Sequence, residues 1–149
     1  MKRCYRLCTI GIIVTLVFGC ATTQYVPLPQ RIAIALSQRN PTANYTVLYI
    51  EAPKGLISKK IAIASLKLGE QSNDEKAIVK FLTTSKDALG IAGSDAEFTS
   101  ETIIQAFKRL KNQSLTTDVV TYVGEVDLKE VLEKAAQEAG VKIDFAGNI

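Results

Sequence analysis

At 149 residues, with 47% hydrophobic and 22% charged side chains, the chain is long enough for one hydrophobic core and hardly for two. It carries 18 Lys and Arg against 15 Asp and Glu, three Cys, and neither His nor Trp. Without His there is no Ser-His or Cys-His nucleophilic pair and no imidazole-ligated metal, so catalysis would fall to carboxylates, Lys or Tyr.

Lys2, Arg3 and Arg6 make the start of the chain positive, and Leu7 to Phe18 follows as a nearly continuous apolar run. Roughly a dozen apolar residues suit a signal-peptide core, whereas a helix spanning a bilayer needs about 20. The basic end stays on the cytoplasmic side, so the remainder of the chain is exported. The run ends at Val17-Phe18-Gly19-Cys20, which resembles the lipobox of bacterial lipoproteins: an aliphatic residue, a small residue, Gly or Ala, then Cys. Val17, Gly19 and Cys20 match; Phe18 is larger than that class usually carries. The resemblance covers the signal alone.

That resemblance implies cleavage before Cys20, diacylglycerol on its thiol and an acylated (palmitate-type) new amino terminus. One acyl chain binds a membrane only marginally, and the class carries three, so the anchor would be durable. The implied organisation is a signal peptide at 1–19, a lipidated Cys with a tether at 20–30, and a single globular periplasmic domain at 31–149. Ala21, where Asp would favour inner-membrane retention, implies the outer membrane in a two-membrane bacterium, and otherwise the outer face of the cell membrane.

Removing the signal changes the arithmetic. Lys2, Arg3 and Arg6 account for the whole formal charge of +3, so the mature chain is neutral and the pI near 8.7 ceases to suggest nucleic acid as a partner. Cys4 and Cys8 leave and Cys20 is consumed, so no disulfide is expected.

Along the mature chain, Ala21 to Pro29 reads as a tether. Arg31 to Ser37 stands open between a strand, from the alternation of Ile32, Ile34 and Leu36, and a short helical turn on the sheet edge. Asn40-Pro41 marks a turn. Tyr45 to Glu51 is β-branched and aromatic, a strand. Lys60 to Leu68, alternating Ile61, Ile63 and Ser65 with Ala, and Ala77 to Thr84 read as two more strands. With the polar loop Gly69 to Glu75 between them, they make a β-meander.

The second half has another rhythm. Asp87 to Gly93 reads as a short strand. A helix comes next, from about Ser100 to Lys111, capped by Thr99 or Ser100, with Ile103, Ile104, Phe107 and Leu110 on one face. Asp118 to Val123 is a strand. Asp127 with Glu130 three residues on resembles a capping box, opening a helix that Gly140 stops. Val141 to Phe145 is the last strand. The fold expected is α+β or mixed α/β: an N-terminal β-meander followed by a β-α-β-α-β segment of right-handed crossovers, in one two-layer domain.

Candidate sites are few. Gly90-Ile91-Ala92-Gly93-Ser94-Asp95 lies ahead of a helix but lacks the Lys of a P-loop and the third Gly of a dinucleotide fingerprint, so it reads as a structural turn. Asp95, Glu97 and Glu101 have no EF-hand spacing and suit a helix dipole better than a metal. Ser58-Lys59 and Ser85-Lys86 are adjacent, which points their side chains apart. Glu125 and Asp127 show no separation suited to a glycosidase. Parallel strands would, however, bring Gly93, Ser94, Gly124, Glu125 and Asp127 around a crevice at their carboxyl ends, where open α/β sheets bind ligands.

The expectation is a non-enzymatic accessory or protein-interaction domain, with no cofactor, no metal and no nucleic acid. Its membrane contact is lipid at Cys20, and its partner is an envelope protein. The alternative is a small-molecule or cell-wall binding module using the crevice.

Overall fold

The computed structural model describes residues 28–125 and 127–147. The expected signal, Cys20 and the expected tether as far as residue 27 lie outside them. The elements in order are α1 (Leu28–Arg39), β1 (Tyr45–Ile50), α2 (Leu56–Lys67), α3 (Asn73–Thr84), β2 (Ala88–Gly93), α4 (Ala96–Leu110), β3 (Val119–Val123), α5 (Lys129–Ala139) and β4 (Lys142–Ala146). All four strands run parallel in the order β1-β2-β3-β4. When parallel neighbours follow one another in sequence, right-handed crossovers set every connecting helix on the same face. Residues of alternate parity accordingly meet different surroundings. Ile50, Leu89, Ile91, Val120 and Tyr122 join the large core with Ile78, Leu82, Ile103, Phe107, Leu110 and Leu132 from the helices.

The opposite face carries Ala92, Val123 and Ala146, which form a second, smaller cluster with Ile32 and Leu36 of α1. A helix therefore lies on each face of the sheet, where two layers are expected from sequence. Small side chains on β2 let α1 come close: a Cβ on Gly90 would meet Leu36 Cδ1 at 2.5 Å. Arg39, at the end of α1, donates to the Phe145 carbonyl at 2.5 Å and ties the helix to β4.

The mixed α/β class and the parallel β-α-β-α-β segment agree with expectation; the β-meander does not. Lys60 to Leu68 lies mostly in α2, and Ala77 to Thr84 in α3. Ile63 and Leu66 are the buried pair of α2, three apart; Ile78 and Leu82 are that of α3, four apart, and both spacings belong to a helix. Ser72 starts α3 by accepting a hydrogen bond from the Glu75 N–H at 3.0 Å, with Glu three residues on as in a capping box. Of the two readings of Arg31 to Ser37 the helical one holds in kind, but the segment is the middle of a three-turn α1 lying on the face of the sheet, and α1 already begins within the expected tether, at Leu28.

Two helix starts also move. Asp95 caps α4 through the Phe98 N–H at 2.9 Å, so Thr99 and Ser100 lie inside the helix and are buried. Asp127 does not cap α5; Leu128, in left-handed conformation, precedes its first turn without a side-chain cap. Gly140 ends α5 as expected.

One ion pair, its carboxylate buried and its guanidinium partly exposed, joins α3 to α4. Glu75 of α3 is fully buried against the guanidinium of Arg109 of α4, which also donates to the Gly69 carbonyl beyond α2 at 2.8 Å.

Candidate functional site

Parallel strands deliver their following loops to one end of the sheet, and four of the five residues expected at a crevice there do line one. A hollow of about 260 Å³ is bounded by Gly93 at the end of β2 with Ser94 and Asp95 after it, Gly124 and Glu125 after β3, Tyr49 and Tyr122 on the strands, and Leu28 at the start of α1. Asp127 does not line it. Its carbonyl instead accepts the Ser100 hydroxyl at 3.0 Å, pinning the β3–α5 loop to α4.

The loops are held by local hydrogen bonds. The Ser94 N–H donates to Ile50 O at 3.0 Å, and its Oγ accepts from the Ala52 N–H at 2.8 Å, so the exits of β1 and β2 are joined. Gly93 is demanded by close approach, because a Cβ there would collide with Thr99 Oγ1 and lie 3.0 Å from the Ile50 carbonyl. Thus Gly90-Ile91-Ala92-Gly93 is strand rather than loop, and its glycines admit helices from opposite sides.

Beside the hollow, Lys59 of α2 reaches Asp95 Oδ2 at 2.9 Å and Glu97 at 3.6 Å. The Phe98 N–H first, and Lys59 after it, hold the Asp95 carboxyl below its ordinary range. The Lys59 ammonium is correspondingly raised, chiefly by its hydrogen bond to Asp95. Glu101 lies apart from this pair: it accepts from Gln105 and meets Lys67 at 3.8 Å. Among the described residues no three carboxylate or thiol groups gather as metal ligands. Tyr122 is buried, which pushes its phenol up, and donates to the Glu125 carbonyl at 2.8 Å. Of the Ser/Lys pairs, Lys59 is engaged with acids, and Ser85 caps α3 and accepts from the Asp87 N–H.

The hollow suits a small neutral or cationic group better than an anion. The α4 N-terminus is already occupied by the Asp95 side chain, and Glu125 adds a second carboxylate at the rim. Asp95, Tyr49 and Tyr122 had no distinguishing sequence signal as lining residues; knowing that β1 neighbours β2 and β2 neighbours β3 is what assembles them. No family model, curated protein or solved structure matches the chain. Among the described residues no helix is long and apolar enough to cross a membrane.

Proposed function

We propose that the chain is a lipid-anchored, non-enzymatic accessory domain of the bacterial cell envelope, facing the periplasm from the outer membrane where two membranes exist. The observation that carries this is Val17-Phe18-Gly19-Cys20 closing a signal-like apolar run. The fold adds a position. Helix α1 starts at Leu28, on the rim of the carboxyl-end hollow, and the eight peptide steps from Cys20 reach at most about 28 Å. The domain so held acts on an envelope protein within a few nanometres of the bilayer. The mass of the mature chain tests the anchor: it should begin at Cys20 with diacylglycerol and an amide-linked acyl chain, and Cys20→Ser should remove the lipid and block the cleavage. A mature chain with a free Cys20 thiol would overturn the proposal. Crosslinking of the lipidated form in its native membrane tests the partner; absence of any envelope-protein adduct counts against it.

The second reading, a small-molecule or cell-wall binding module, is favoured by the hollow that Gly93, Ser94, Gly124 and Glu125 line together. Cell-wall fragments bearing free amino groups should raise the unfolding temperature of the mature chain. Glu125→Gln with Asp95→Asn should reduce that rise. No shift with any fragment removes this reading.

A further inference from the structure

Helix α2 is apolar on two sides. Ile63 and Leu66 enter the core, yet Leu56, Ile57, Ile61 and Leu68 remain 64%, 75%, 62% and 87% exposed. Ile57, Ile61, Ala64 and Leu68 recur at intervals of four, three and four, which aligns them along one line of the helix. Lys60 and Lys67 run along one side of that line, and Ser58 and Ser65 along the other. The helix holds no acidic residue. Lys67 touches Glu101 at 3.8 Å but keeps 58% of its side chain exposed, while Lys60 and the preceding Lys54 form no ion pair with any described residue. The nearby acids lie elsewhere: Asp95 and Glu97 are held by Lys59 on the flank towards the core, and Glu70 follows Leu68 beyond the end of the helix.

We propose that this face of α2 seats on the headgroup and upper acyl layer of a bilayer containing anionic phospholipid, and so orients the tethered domain. The proposal rests on the lipid anchor at Cys20. Two features choose this occupant. Leu28 and Leu56 line neighbouring hollows that share Ser94 and Asp95, so the tether arrives at the end of the molecule where α2 begins. A tether of that reach keeps the helix at high local concentration beside the lipid. Charge makes the second selection. A second copy laid antiparallel against the stripe would set Lys60 and Lys67 beside their own counterparts, and a parallel one would set them beside Ser58 and Ser65; in neither arrangement does either helix offer a carboxylate to pair them. Anionic headgroups supply that missing charge, and an apolar stripe edged with Lys is the pattern of interfacial helices. At 12 residues α2 lies on a bilayer and does not span it.

The chain has no Trp, so Ile57→Trp places a single reporter on the stripe, and Gln137→Trp places one on exposed α5 as a control. The full chain, processed in a bacterial host, is reconstituted into phosphatidylcholine vesicles with and without phosphatidylglycerol. In vesicles containing phosphatidylglycerol, the Ile57→Trp indole should shift to the blue and be quenched by brominated phospholipid, while Gln137→Trp stays water-like. Adding Lys60→Glu should weaken the seated state about fivefold or more. Flotation with vesicles but water-like Ile57→Trp emission overturns the docking and leaves the anchor standing. Failure to float, with no lipid mass on Cys20, overturns both. Shielding that occurs equally in lipid-free detergent and grows with protein concentration assigns the face to a second copy and overturns the proposal.

Discussion

Helices α2 and α4 lie side by side in one layer and depart from simple hydrophobic partition in opposite directions. Helix α4 buries Thr99, Ser100, Glu101 and Thr102, whereas α2 leaves Leu56, Ile57, Ile61 and Leu68 in the open. On α4 most of the buried polar groups find partners: Thr102 donates to Phe98 O, Ser100 to Asp127 O, and Glu101 accepts from Gln105. Flanked by α2, α3 and α5, α4 is the centre of the layer, and its polar groups organise the loops around it. Helix α2 touches the layer along one side only. A buried polar group is stable where its partners are internal; an exposed apolar stripe marks a surface whose partner is external.

The largest effect should come from α4. Arg109→Ala leaves the fully buried Glu75 without its guanidinium, and denaturant unfolding should show a loss of about 3 kcal/mol, at the lower end for a buried pair because the guanidinium is partly exposed. Adding Glu75→Leu should recover much of that loss, because the uncompensated charge is then gone. A small effect from Arg109→Ala alone would mean that the centre of the layer is less dependent on its polar clamp than the burial implies.

A smaller effect should appear where the two helices meet. Asp95 caps α4 and pairs with Lys59 of α2, and its carboxyl is held below the ordinary 3.8 by the Phe98 N–H and then by Lys59. Its contribution is therefore full above the ordinary value and is lost as pH falls through the lower, folded value. Stability should start to decline at about pH 4 and continue downward. Asp95→Asn keeps a capping oxygen but not the charge, so its acid decline should be shallower, as followed by urea midpoints across that range. Asp118, lowered by Lys142, supplies part of the slope that remains.

The smallest effect should be on the open face of α2. Ile61 is 62% exposed, and Ile61→Ser should change folding stability by no more than about 0.5 kcal/mol. A loss several times larger would mean that the stripe is covered within the folded chain and would remove the contrast with α4.

Much of the second half was legible in sequence. Ile103, Ile104, Phe107 and Leu110 repeat at helical intervals over a segment long enough to exclude a strand, and Val119 to Val123 is short and β-branched. In the first half, Ile61 and Ile63 imitate strand alternation because α2 is apolar on both sides, so the helical period is masked. Ser72-Asn73-Asp74-Glu75 carries the capping pattern of α3, which the reading of Gly69 to Glu75 as a polar loop passes over. The crevice was legible in position, since Gly93 ends a strand and Ser94, Gly124 and Glu125 follow strands, but Asp127 turns away because the β3–α5 loop is pinned by its carbonyl.

The sequence by itself determined the chemistry on offer. A chain without His has a short menu of reactions, three basic residues before the apolar run account for its net charge, and Val17-Phe18-Gly19-Cys20 is the pattern on which the proposed lipid anchor rests. Those are local properties, readable wherever the residues stand. Only the tertiary structure decided that α1 occupies the second face of the sheet, that Tyr49, Asp95 and Tyr122 share one hollow, and that one apolar side of α2 meets the core while the other stays open. Each of these depends on which strands are neighbours and which helix is central, and residues far apart in sequence settle that through the surface they bury together.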